Sequence, residues 1–248
     1  MRGGGRAGFT EKKYYDFVNV TKKPEDLSKT GEWEIDKPDY TSSGTETALL
    51  FAPDQGTAMY ERIGRRAWIS DIKIKFQVDF SQRSAASNNF DNCINNLTVV
   101  ILIDKHVDQQ SWSTNDAESV MAADAGGGVA VPEEVRHLAW TSTNTWGRYR
   151  VLKVMRFVRK PVNVEGMTAP VVSNRWADTQ IKTYKHKFSK PLQVNYNGVG
   201  AGGDETNVND IGLRMITFAE NLDNTQILEN FHRAELRYWG RVGFYDHK

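Results

Sequence analysis

The chain has 248 residues, one cysteine and a formal net charge of +1, with 39% apolar and 25% charged residues. That length can bury a sizeable core, the ordinary composition excludes a fibrous or disordered chain, and the near-neutral balance excludes attraction of the whole molecule to nucleic acid, leaving local patches. Cys93 alone excludes an intrachain disulfide framework, and no apolar run approaches the roughly 18 residues of a membrane span. A soluble chain of a reducing compartment, nuclear or cytosolic and without membrane insertion, is expected.

The opening stretch, MRGGGRAGFTEKKYYDF, has no hydrophobic period and reads as a flexible, mildly basic arm, with a lead-in continuing to residue 45. A short strand is expected at 46–52, ended by Pro53. Residues 68–80 give the clearest signal, with Ile72, Ile74, Phe76, Val78 and Phe80 on one face and Asp71, Lys73, Lys75, Gln77 and Asp79 on the other. Period-two alternation predicts a half-buried strand with the five apolar residues inside. Residues 97–105 form a continuous apolar run rich in β-branched side chains, which predicts a strand buried on both faces.

Residues 107–146 are long and mixed, with one short helix expected in STNDAESVMAAD. Further strands are expected at 147–159, at 181–188 and 191–196 (split by Lys190-Pro191), at 211–219 and at 233–245, the last with Ala234, Leu236, Tyr238, Val242 and Phe244 on one face. About eight strands with loops of unequal length predict an all-β fold, a single eight-stranded antiparallel jelly roll spanning 46–248. The long segments 107–146, 163–180 and 197–210 are expected on the outer surface and at subunit contacts.

No enzyme constellation emerges. His106, His137, His186, His232 and His247 are scattered, Cys93 has no second thiol nearby, and neither Gly-rich loop ends in the Lys-Ser/Thr of a phosphate cradle. Glu133-Glu134 follow Pro132 and read as a solvated helix start. No catalytic residue, metal site or cofactor is therefore expected. The sequons at Asn19 and Asn96 read as incidental.

Basic residues are better organised. Arg148, Arg150, Lys153, Arg156, Arg159 and Lys160 lie on or just past one strand, and Lys182, Lys185, Lys187 and Lys190 follow, with Tyr184 and Phe188 interleaved. Cations with aromatics between them suit single-stranded nucleic acid; a solvated strand face is the plainer alternative.

One segment stands apart: Gln55-Gly56, then Arg62-Ile63-Gly64-Arg65-Arg66, directly before the best strand. Followed in order by VVILIDKH with its Asp104-Lys105 pair, RYRVLKVMRFVRK, KHKFSKPLQVNYN and AELRYWGRVGFYD, it resembles capsid proteins of small circular single-stranded DNA viruses, the circovirus-like and geminivirus-like group. The resemblance covers roughly residues 46–245 and rests on the order and spacing of short motifs. It implies a jelly roll, about 60 copies of which close an icosahedral shell around circular single-stranded DNA, in a virion assembled in the host nucleus or cytoplasm.

On that reading Arg2, Arg6, Lys12 and Lys13 of the arm, with Lys182, Lys185 and Lys187, contact phosphates without sequence preference. Arg62, Arg65 and Arg66 bond either a neighbouring subunit's carboxylates or DNA phosphate. The departure is at the start, where MRGGGRAG stands in place of the group's dense Arg-rich arm. The alternatives are a jelly-roll carbohydrate-binding module, stacking sugars on Trp112, Trp140, Trp146 or Trp176, and a cupin-like enzyme, opposed by the scattered histidines.

Overall fold

The computed structural model describes residues 11–22, 33–35, 48–80, 96–109, 112, 119–121, 124–125, 129–130, 146–158, 178–197, 205–220 and 234–246. Within them lie strands β1 (Lys12–Lys22), β2 (Trp33–Ile35), β3 (Arg66–Phe80), β4 (Asn96–Asp104), β5 (Asp124–Ala125), β6 (Val129–Ala130), β7 (Tyr149–Val158), β8 (Asp178–Asn195), β9 (Gly212–Glu220) and β10 (Ala234–Asp246). The architecture is all-β and antiparallel. One four-stranded sheet runs β1-β10-β3-β8, a second runs β2-β9-β4-β7, and β5 and β6 form a separate hairpin. The pairing is nested: β1 with β10, β2 with β9, β3 with β8 and β4 with β7, with β10·β3 and β9·β4 closing each sheet laterally.

The core lies between the sheets. Ile72, Ile74, Phe76, Val78 and Phe80 are all buried while Lys73 and Lys75 are exposed, as the alternation predicts. Upstream the inward face switches to Ala67 and Ile69, because Ser70 is an extra residue opposite β10 and inverts the period. From the other sheet Leu97, Val99, Ile101, Phe157 and Leu213 complete the same core, and the Phe76 and Phe157 rings lie 6.4 Å apart. The opposite face of the second sheet is covered too: Val100, Leu102, Tyr149, Ile216 and Phe218 pack with Trp112, Val120 and Met121. This is why every residue of β4 is buried. The first sheet keeps its outer face open to solvent.

Gly240 shows how tightly β1 seats on this core. A Cβ there would fall 2.0 Å from Cζ of the fully buried Phe17, so the ring lies directly over the bare backbone. Gly240→Ala should cost about 1–3 kcal/mol through overpacking, and Phe17→Leu on the same background should recover part of it. Urea denaturation of the two single variants and the double variant tests this; simple additivity would refute the contact.

Four expectations are corrected. Residues 12–22 are a strand and not part of a flexible arm: Lys13, Tyr15, Phe17 and Asn19 turn inward, so the folded unit begins well before residue 46. The segment at 48–53 is buried but unpaired as a strand; Leu49, Leu50 and Phe51 are held by packing, and Leu50 N–H donates to the Leu213 carbonyl at 2.8 Å. The two strands expected on either side of Lys190-Pro191 are one, β8, with Phe188–Pro191 bulged between Lys187 and Leu192. β8 is an edge strand, where proline costs the sheet little. Part of 197–210 folds inward, with Glu205 and Val208 buried. Most of 113–124, where a helix is expected, lies outside the described residues, as do most of 107–146, residues 163–177, Cys93, His137, His232, His247 and Glu133-Glu134.

Candidate nucleic-acid interface

The Gly-broken segment before β3 is a self-folded loop. Gly56 N–H donates to the Arg62 carbonyl and Arg62 N–H to the Asp54 carbonyl, both at 2.9 Å, and the Gln55 amide donates to the Ile63 carbonyl at 3.1 Å. Glu61 caps the turn by accepting from Ala58 N–H at 2.8 Å. Its carboxyl fills the space beside Gly56, where a Cβ would meet Glu61 Oε2 at 2.0 Å, so close approach requires glycine there.

The loop is clamped to the sheet from two sides. Lys13 Nζ donates to the Glu61 carbonyl at 2.9 Å and pairs with Asp246 at 3.0 Å, while Asp246 also accepts from Ile63 N–H at 3.0 Å. Arg62 is fully buried, with its guanidinium 4.1 Å from the Tyr196 ring centroid and Nη1 donating to the Gly64 carbonyl at 2.7 Å. Burial lowers its pKa against the raising influence of Tyr196, Asp246 and Asp54, and the same burial pushes the Tyr196 hydroxyl up. Arg62 and Lys13 are therefore pillars of the fold, placed inside where neither a phosphate nor a neighbour's carboxylate reaches them. Arg65 and Arg66 remain exposed, and the same loop holds out Met59, Tyr60 and Ile63, with relative exposures of 53%, 51% and 41%.

The second feature is the outer face of the β1-β10-β3-β8 sheet, assembled by register. One row across it reads Asp16, Arg241, Lys73, Lys185; the next reads Val18, Trp239, Lys75, Thr183; on the other side lie Tyr14, Gly243, Asp71 and Lys187. Its carboxylates are engaged. Arg241 forms a bidentate pair with Asp16 at 2.6 and 2.7 Å, Lys12 meets Asp71 at 2.5 Å across the bare Gly243, and Arg237 lies 3.7 Å from Asp79.

Burial works to raise the Asp71 carboxyl. Hydrogen bonds from Lys12 and Ser70, with the charges of Lys12 and Lys187, outweigh it and hold the group below its usual value. The bonds to Asp71 and Asp16 raise Lys12 and Arg241 in turn. Among the described residues no ion pair holds Lys73, Lys75, Lys185 or Lys187, so the face carries net positive charge. Trp239, 56% exposed, and Tyr14, 42% exposed, lie on it, and Tyr14 has Lys12 and Arg241 at 5.4 and 5.6 Å from its ring centroid.

Of the expected phosphate contacts, Lys185 and Lys187 lie on this face and Lys12 lies at its edge. Lys182 turns the other way: its ammonium sits 4.5 Å from the Phe157 ring centroid and donates to the Arg156 carbonyl. Arg2 and Arg6 lie outside the described residues. Lys73, Lys75 and Trp239 join the face only because β3 and β10 pair with β8 and β1; in the sequence they were merely the polar alternates of their strands.

Asp104, the acidic partner of the Asp104-Lys105 motif, is fully buried at the end of β4. It accepts from Arg148 Nε at 3.1 Å, Arg214 Nε at 3.1 Å and His106 N–H at 3.0 Å. Arg214, also fully buried, reaches Glu205 at 2.7 Å. Trp112 lies over the Arg214 guanidinium at 4.7 Å and donates Nε1–H to the Tyr149 hydroxyl at 2.9 Å, so it is buried and offers no sugar platform. Trp146 is exposed, while Trp140 and Trp176 lie outside the described residues. Asn19 and Asn96 are both buried, which removes them as glycosylation acceptors in the folded chain. No protein-family model matches this chain, and no curated protein matches it.

Proposed function

We propose that the chain is the capsid protein of a small circular single-stranded DNA virus. Its two sheets make one eight-stranded jelly roll, about 60 copies of which close a shell that holds the genome in the virion, after assembly in the host nucleus or cytoplasm. The observation that carries this reading is the nested pairing of the first strand with the last and of each inner strand with its counterpart, which supports the winding proposed here, that of a double-sheet jelly roll. Fold alone does not name a function. Two further features support it: the rigid loop presenting Met59, Tyr60 and Ile63, since apolar groups held out together mark contact surfaces, and the basic face of the first sheet, suited to a polyanion.

Electron microscopy of the purified chain tests the reading: uniform closed shells are expected. Tyr60→Asp with Ile63→Asp should leave a folded monomer, judged by an unchanged denaturation midpoint, and no shells. Persistent monomers of the unaltered protein at every salt concentration, with or without single-stranded DNA, would overturn the proposal. Shells from the double variant would remove this loop from the subunit contacts.

A further inference from the structure

Lysine is depleted at the cores of protein–protein interfaces, while tryptophan is enriched there. The outer face of the β1-β10-β3-β8 sheet has both together: Trp239 is exposed and registers beside Lys75, one row from Lys73 and Lys185. A protein partner would have to desolvate those ammonium groups and match each of them with a carboxylate of its own. A single nucleic-acid strand faces no such cost, because its phosphates stay on the cations while its bases, free of a complementary strand, present flat π faces. Lys73 and Lys75 are two residues apart on β3, about 6.6 Å along the strand, and β8 sets Lys185 and Lys187 alongside at the next strand spacing of about 4.8 Å.

We propose that this face seats single-stranded nucleic acid, with a base stacked on the Trp239 indole and the adjoining phosphates on Lys73, Lys75, Lys185 and Lys187. The inference rests on the reading that the basic face meets the genome, and it adds a stacking residue and a preference for single strands. Recognition is independent of sequence, since every base has a π face and the lysines read only backbone. On one side of the tryptophan, the pair Asp16–Arg241 in the next row ties β1 to β10, and Lys12–Asp71 beyond it ties β1 to β3.

The test is fluorescence anisotropy with labelled oligothymidylate, alongside intrinsic tryptophan emission. Oligothymidylate should quench emission of the unaltered protein and quench the Trp239→Phe variant distinctly less. Trp239→Ala should weaken binding about 5- to 150-fold, the loss of one stacked base, with the salt slope unchanged. Lys73→Gln with Lys185→Gln should instead flatten the slope by about 0.7 per lysine.

Equal binding by Trp239→Ala and the unaltered protein, or equal competition by heparin or duplex DNA at matched charge, would overturn the proposal. Shell formation, followed by electron microscopy on the same variants, should be unchanged. Shells that bind oligothymidylate without any dependence on Trp239 would refute the stacking site and leave the capsid reading standing. Trp239-dependent binding by a protein that never forms shells would do the reverse.

Discussion

Asp104→Ala should cost about 3–5 kcal/mol of folding stability, the penalty for leaving a buried charge without its partner. Asp104 is the common acceptor for Arg148, Arg214 and the His106 N–H, and both Asp104 and Arg214 are inaccessible to solvent. Without the carboxylate, Glu205 is the one carboxylate left to Arg214 among the described residues; its Oε2 also accepts from Trp112 N–H at 3.2 Å and its Oε1 from Ala48 N–H at 3.4 Å. The loss would therefore spread to the 48–53 segment and to Trp112, which covers the outer face of the second sheet.

Domains of this kind are stable by only about 5–15 kcal/mol, so the variant should be marginally folded and, on the proposed capsid reading, form no shells. Asp104→Asn, which keeps an acceptor oxygen, should lose less, and Asp104→Leu combined with Arg214→Met and Glu205→Gln, which leaves no buried charge of the triad unpaired, should recover much of the deficit. Urea denaturation of this series is decisive: a change below about 1 kcal/mol in Asp104→Ala would mean that the network is not energetically coupled.

Phe76→Ala should cost about 3–5 kcal/mol by a different route, the creation of a cavity. Phe76 is fully buried in the C-terminal half of β3, with the Tyr238 ring centroid at 5.9 Å within its own sheet and that of Phe157 at 6.4 Å in the facing sheet. Truncation removes contacts on both sides of the sandwich at once, and the hydrogen-bonded backbones of β3, β7 and β10 cannot collapse to fill the gap. On the proposed capsid reading soluble assembly should be lost, while Phe76→Leu, which keeps most of the volume, should fold and lose less. A denaturation midpoint for Phe76→Ala equal to that of the unaltered chain would show that this position does not join the two sheets.

Period-two alternation and apolar runs are local properties, and where they are strong they can be read directly. The inward face of β3 follows from side-chain direction, because a slip of one residue would send five apolar groups into water, and the double burial of β4 is announced by its unbroken apolar run. The strands near 147–159, 211–219 and 233–245 were likewise legible to within a few residues. The inversion at Ser70 was not, since a bulge depends on what the neighbouring strand offers. Residues 48–53 carried a strand-like pattern, yet burial there came without a ladder. β1 was missed because its inward set ends in Lys13 and Asn19, and a lysine reads as inside only once Asp246 stands beside it.

The candidate site residues divide along the same line. Composition and order made the chain an all-β protein with basic segments and a Gly-broken loop before its best strand. Only the tertiary structure decided that Arg62 is a buried pillar stacked on Tyr196, that Lys182 leans toward Phe157, and that Lys73, Lys75, Lys185, Lys187 and Trp239 share one open face. The reason is physical: the sign of a charge belongs to its residue, but whether it is neutralised, buried or presented depends on partners brought together by long-range strand pairing, and no local period encodes those partners.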